Sequence, residues 1–303
     1  MSDNRVKLLF PGVFEQCLHC HTKFSYEVDG EADTGLFRLL DIIREKNDSL
    51  KCYDRIYSST PVTMVAITDH NCIDAYLGLG VDEIKTFLNK SEITFKELAT
   101  YYALTEKERK RIELEEKIKI ITGGEFSAVL AGFKVHTLGL DFDDKFMRWF
   151  RYTRKKYRFD GKHRHSVKAV ARAVHFSGGK FVLAHPSRYV KEGRTLNDVL
   201  EAAKNAGCFD GIECATSNTT IEECFEILRF CATNNIPVTI GSDYHYAGRR
   251  TVKGMPGQRK DIFFIESLGM SSGDFLRMVS WKNVEQLNEI EKSLIMCRDG
   301  FQR

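Results

Sequence analysis

Short apolar runs alternate along this chain with longer stretches whose apolar residues recur every three or four positions. The short runs are Val13–His19, Val62–Thr68, Lys119–Gly123, Lys134–Leu138, Lys180–Ala184, Asp210–Glu213 and Pro237–Gly241. Their length and β-branched content predict strands. Ile262–Ile265 is a candidate eighth. The longer stretches predict helices. Leu36, Leu39, Leu40 and Ile43 put one apolar face on Thr34–Lys46. Ser166–Phe176 and Leu196–Ala206 repeat that pattern. So does Thr220–Asn234, through Ile221, Cys224, Phe225, Leu228 and Cys231. A C-terminal helix is expected over about 281–297. Strand alternating with helix predicts an α/β fold, a parallel sheet wrapped by helices.

With 303 residues and 43% hydrophobic content, the chain can bury one large core, and we expect a single domain over 1–303. Two stretches exceed what a crossover needs and predict helical insertions, about 71–118 and 141–178. The first contains Thr105–Glu108, a capping box opening a charged helix, which reads as a solvated face. Within the second, Arg148–Lys168 holds nine Lys or Arg against one acid, Asp160, with Trp149, Phe150, Tyr152, Tyr157 and Phe159 interleaved. Such a segment can grip phosphates and stack bases of a nucleotide or nucleic acid. An amphipathic helix lying on the fold would have the same composition.

The net charge of +3 argues against a surface built wholly for nucleic acid. No apolar run reaches the roughly 20 residues needed to span a bilayer, so no membrane partner is expected. MSDNRVKLLFPG lacks the apolar segment of a signal peptide. The nine cysteines are odd in number and scattered. Reduced thiols in a cytoplasmic protein are therefore expected. Cys17 and Cys20 form a C-x-x-C, but without a second ligand pair nearby they read as two thiols around a strand.

The chemistry lies where the strands end. His19 and His21 form an H-x-H pair, and Asp69-His70 closes the second run. Glu125 follows two glycines, and His136 and His185 stand in or after apolar runs. Asp243 and His245 form a D-x-H pair. Alone, each is as readily a packed or capping residue. Jointly, His, Asp and Glu at successive strand ends are the ligand set of divalent metals, gathered where barrel enzymes build their sites. One catalytic ion takes three or four protein ligands. The eight counted here (His19, His21, His70, Glu125, His136, His185, Asp243 and His245) suit two or three ions. Clustered ions suit phosphoryl hydrolysis.

On these motifs the chain resembles the PHP superfamily, named for polymerase and histidinol phosphatase. LHCH, ITDHN, GGEFS, VHTLGL, LAHPSRY and GSDYH follow the family's motifs in order, from His19 to His245. GGKFVLAHPSRY, GCFDGIECATSN and VTIGSDYH look closest to its small stand-alone phosphoesterases, some of which act on nucleoside bisphosphates or short RNA ends. The resemblance implies a distorted seven-stranded (β/α) barrel with up to three ions of manganese, zinc or iron. It implies that His19, His21, Glu125 and Asp243 hold the first ion. Glu125 would bridge to a second, with His136 and His185. His70 and His245 would hold a third.

The third ion's remaining ligand should follow H-x-H, where this chain is longer than the family pattern. Asp29, before Gly30, is the first choice and Glu27 the second. Cys17 stands where the family often has Asp, which removes a partner for a ligand histidine. Asp69 is assigned beside the ligands rather than among them. Arg188 matches an arginine suited to a substrate phosphate. The expected activity is phosphomonoester hydrolysis, on a nucleotide or another small phosphorylated metabolite, by a metal-bridging hydroxide. Asp69, a histidine or an ion-bound water would protonate the leaving oxygen. A phosphodiesterase or exonuclease, an amide hydrolase and a non-catalytic role are the alternatives.

Overall fold

A computed structural model describes residues 4–21, 64–71, 119–143, 165–216, 219–241, 243 and 272–301. Three strands, β1 (Gln16–Cys20), β2 (Met64–Ile67) and β3 (Lys119–Ile121), form a parallel sheet in that order. Five more form a second sheet in chain order: β4 (Gly123–Leu130), β5 (Phe133–Leu140), β6 (Lys180–Leu183), β7 (Gly211–Ala215) and β8 (Val238–Ile240). The seven apolar runs read from sequence all contain strands.

The sheet is mixed, which corrects the expectation of parallel strands. β5 runs antiparallel to both β4 and β6, while β6, β7 and β8 are parallel. The cause is the eighth strand, β4, which the apolar pattern did not single out. It joins β5 through two residues, Ala131 and Gly132, both at positive φ (46° and 85°). A two-residue link with positive φ at both positions makes a hairpin whose twist matches its strands. A link that short cannot support a parallel crossover.

The two sheets meet at isolated points. His70, just beyond β2, bridges to Glu125 in β4. The Asp243 amide, beyond β8, donates to the His19 carbonyl at 2.8 Å. Leu8, ahead of β1 and outside both sheets, bridges to Val238 in β8. The described residues thus form an α/β fold with two linked sheets and no single closed ladder among them.

Five helices surround the larger sheet, the first three packing on it and the last on the third. They are α1 (Val167–Phe176), α2 (Leu196–Ala206), α3 (Ile221–Asn234), α4 (Ser272–Val279) and α5 (Val284–Phe301). The sequence sets their ends. Thr195 with Asp198 and Thr220 with Glu223 form capping boxes, and Gly207 and Asn235 close α2 and α3 in the left-handed region. A cluster including Val170, Val174, Phe181, Val199, Phe225, Leu228 and Leu276 fills the space between helices and sheet. A second draws Leu18, Met64, Ala66, Ile121, Leu138 and Val182 from strands of both sheets.

Helix α1 lies inside the range expected for the second insertion and packs on β4, β5 and β6. The expectations for Thr34–Lys46, Ile262–Ile265, residues 72–118 and 144–164 fall outside the described residues. Cys17, Cys208, Cys214, Cys224, Cys231 and Cys297 are thiols rather than disulfides. No helix among the described residues is long and apolar enough to cross a membrane.

Candidate metal centre

Seven of the sequence-predicted ligands lie among the described residues, and they converge on Glu125. Its two carboxylate oxygens face different partners. Oε1 lies 2.8 Å from His136 Nδ1 and 2.9 Å from His185 Nε2. Oε2 lies 2.6 Å from His70 Nδ1, 3.4 Å from His21 Nε2 and 3.5 Å from His19 Nε2. Asp243 Oδ1 is 3.5 Å from His19 Nε2 and 3.4 Å from His21 Nε2. The remaining ligand predictions, Asp29, Glu27 and His245, lie outside the described residues.

Local geometry explains the convergence. Residues two apart on a strand share a face, so His19 and His21 turn the same way, their Nε2 atoms 3.1 Å apart. In the hairpin, Glu125 pairs with Leu138 and Ser127 with His136. Glu125 and His136 are therefore diagonal neighbours on one face. These two stand within strands, so the expectation of ligands at strand ends holds for His70, His185 and Asp243 but not for them. Asn71, His185 and Asp243 adopt positive φ of 46°, 28° and 50°. Such backbone is costly for residues with a Cβ; here it follows strand ends, with the His185 and Asp243 side chains in the site and Asn71 bonded to Ser127 beside it.

Two groups of donors sit close enough to hold an ion. His19, Glu125, His185 and Asp243 form one, and His21, His70 and Glu125 the other, with donor atoms within 4.8 Å of one another in each. Glu125 belongs to both. The grouping differs from the allocation implied by the resemblance: His185 falls in with His19 and Asp243, and His21 with His70. All these residues are buried. Glu125 Oε2 has no hydrogen-bond donor in proper geometry among the described residues. Yet three histidine nitrogens lie within 3.5 Å of it. Imidazole nitrogens and carboxylate oxygens gathered this closely in a buried place fit a divalent cation.

The field has the same sign. Burial lowers the His19 pKa, but Glu213, Glu125 and Asp243 outweigh it and hold it well above the usual histidine value. For Glu125, burial raises the pKa, but His70, His136 and His19 hold it well below the carboxylate range. His185 is lowered, chiefly by burial.

Asp69 is 1% exposed, and its carbonyl accepts from the Glu125 amide. Arg188 follows His185 on a short 3₁₀ turn, Pro186–Tyr189. Its Nη1 donates to Asp243 Oδ2 at 2.9 Å, while its side chain is 38% exposed. It therefore connects the buried site to solvent.

Three further residues shape the site and were not singled out from sequence. Glu213, in β7, binds His19 Nδ1 at 3.1 Å and accepts from the His185 amide at 2.8 Å. It ends the run Asp210–Glu213, so the acid-at-strand-end signal was present. The Tyr189 hydroxyl accepts from the His136 amide at 2.6 Å and lies 3.1 Å from His185 Nδ1. Gly241 leaves the space that β8 needs: a Cβ there would stand 2.3 Å from the His19 Cβ and 2.7 Å from Glu213 Oε1.

Three solved structures overlap with this chain at low identity. An amidohydrolase from Chromobacterium violaceum, solved with sulfate and no metal, overlaps with a TM-score of 0.48 at 18% identity, over 84% of this chain and 96% of that one. A Bifidobacterium adolescentis protein named for metal-dependent phosphoesterase activity gives 0.48 at 18%, over 84% and 95%. A two-domain Bacteroides vulgatus protein, named for a PHP-like metal-dependent phosphoesterase, gives 0.42 at 15%, over 80% and 57%. No family model and no curated protein matches the sequence. What the site can do follows from its own side chains.

Proposed function

We propose that this chain is a metal-dependent hydrolase acting on a phosphomonoester of a small molecule, a nucleotide among the candidates. The carrying observation is Glu125, a buried carboxylate shared by two donor groups of imidazole and carboxylate. Divalent ions bound there would supply Lewis acidity and bring the pKa of a coordinated water near neutrality. Histidine and carboxylate donors suit manganese, iron or zinc.

The chain's own residues supply the rest. Glu125 directs one oxygen toward His136 and His185 and the other toward His70, so one rigid group spaces both halves of the site. Burial excludes bulk water from the donors. Arg188 offers a partly exposed guanidinium beside Asp243, placed to meet an anionic substrate group bidentately. That favours a phosphoester over a neutral amide. Asp69, buried beside the donors, is available to protonate a leaving oxygen.

The test is metal analysis of the purified protein, paired with a substrate panel under Mn²⁺ and under Zn²⁺. The panel holds nucleoside 3′- and 5′-monophosphates, a phosphodiester, a short oligonucleotide and an N-acyl amide. Metal retention with monoester turnover supports the proposal. Faster cleavage of the diester or the amide would replace it.

A further inference from the structure

We infer that Glu213 is the positioning residue of this centre: its one carboxylate fixes the ring of His19 and the backbone of His185. The inference rests on the metal-site reading above.

Glu213 is 1% exposed, in β7 between β6 and β8. It is not one of the grouped donors. Instead, Oε1 and Oε2 both lie 3.1 Å from His19 Nδ1. A carboxylate only accepts, so the ring proton sits on Nδ1. The lone pair of Nε2 then faces His21, Glu125 and Asp243, where an ion would sit. Oε2 also accepts from the His185 amide at 2.8 Å. That residue holds φ at 28°, and its ring reaches Glu125 at 2.9 Å. Glu213 thus ties a strained backbone turn on one strand to a ring orientation on another. Gly241 leaves room for the arrangement, since a Cβ there would lie 2.7 Å from Glu213 Oε1. Cys17, which stands where the resemblance leads one to expect an Asp, lies 3.9 Å from the His19 carbonyl and offers the imidazole no carboxylate. Glu213 takes that part.

The role requires a carboxylate. Glutamine has one acceptor and one donor. Its NH₂ would meet either the His185 amide, donor against donor, or His19 Nδ1. In the second case the NH₂ faces the Nδ1 proton, donor against donor, one acceptor must serve both groups, and the hold on that tautomer weakens.

The experiment uses the full chain as wild type, Glu213→Gln and Glu213→Asp. Zn²⁺ affinity is read by competition with a chelator, folding by circular dichroism, and ring protonation by long-range ¹H–¹⁵N correlation on the Zn²⁺-loaded protein. Folded Glu213→Gln should bind Zn²⁺ about 10–100-fold more weakly. Glu213→Asp keeps the charge but stops one methylene short, and should recover only part of the loss. Wild-type His19 should carry its proton on Nδ1, a readout that stands even if neither variant folds. A wild-type His19 protonated on Nε2 overturns the inference. So does wild-type affinity in Glu213→Asp alongside loss in Glu213→Gln, which would leave charge alone as the cause. Failure of the wild type itself to bind Zn²⁺ or Mn²⁺ would instead overturn the metal-site reading.

Discussion

Glu125 faces two ways, and the sharpest single-residue effects follow from its neighbours. His19→Ala removes a donor from the first group, so turnover and ion content should both fall. The loss of turnover should exceed the roughly 100-fold that marks the removal of a supporting partner. Ion content by mass spectrometry and turnover under saturating Mn²⁺ check this. Protonation gives a second handle. Carboxylates hold the His19 pKa well above 6.5, and ligation requires Nε2 to be unprotonated. Metal affinity should therefore climb as pH rises above 6.5. In chelator-treated protein the sign reverses. The stability that His19 gains from its neighbours is full below 6.5 and is lost as pH rises through its folded value. His185, lowered by burial, changes its contribution only below 6.5, and Glu125 only below the ordinary carboxylate value of 4.5. Of these three groups, only His19 acts above 6.5, so the thermal midpoint of metal-free protein should decline there. Arg188→Lys keeps a charge and loses the fork. Catalytic efficiency should drop about 10–100-fold, the worth of a hydrogen bond to a charged group, when measured at saturating Mn²⁺ so that any weakening of ion binding through Asp243 is offset. At this scale the sequence was readable where a residue type announces its chemistry, as His19 and Asp243 do. Glu213 was passed over because an acid ending a strand says nothing of which histidine it will face, some 194 positions away.

Among elements, the β4–β5 hairpin departs most from the expected plan, and its turn is where a change should help. Ala131 holds φ at 46°, a region that disfavours a Cβ. Ala131→Asn creates an Asn-Gly pair suited to that turn. It should raise stability by about 1 kcal/mol without altering metal affinity, as read from denaturant midpoints. The same turn explains why β4 was not legible. Ala-Gly is a weak hairpin signal, and GGEFSAVL mixes glycine and serine with its apolar residues. The opening glycines look like a loop, so Glu125 read as the residue after a strand rather than one within the next. The helices were legible because their ends are written locally: Thr195 and Asp198, like Thr220 and Glu223, satisfy each other's backbone groups over one turn.

For the whole molecule, the centre is where the two sheets meet. It draws donors from beside β1, β2, β4, β5, β6 and β8. Glu125, Glu213 and Asp243 are buried there with four histidines, His19, His21, His70 and His185, an arrangement that costs folding energy unless a cation compensates. Stripping the protein with a chelator should lower its thermal midpoint, and Mn²⁺ or Zn²⁺ at 100 times the dissociation constant should restore about 2.7 kcal/mol. Scanning calorimetry with and without the ion decides it. The two-residue hairpin link also bears on the order in which the site can come together. Glu125 and His136 are joined by a short local loop, and hairpins close in about 1–10 μs. The His19–Glu213 contact must wait for a loop of nearly two hundred residues. During synthesis His19 emerges early and stays without its carboxylate until β7 has followed. Pulse-labelled hydrogen exchange should therefore protect β4 and β5 before β1. Glu125 would then be in place while the far wall of the donor cluster is still unstructured, so the nascent chain would have half the cluster before it has a fold.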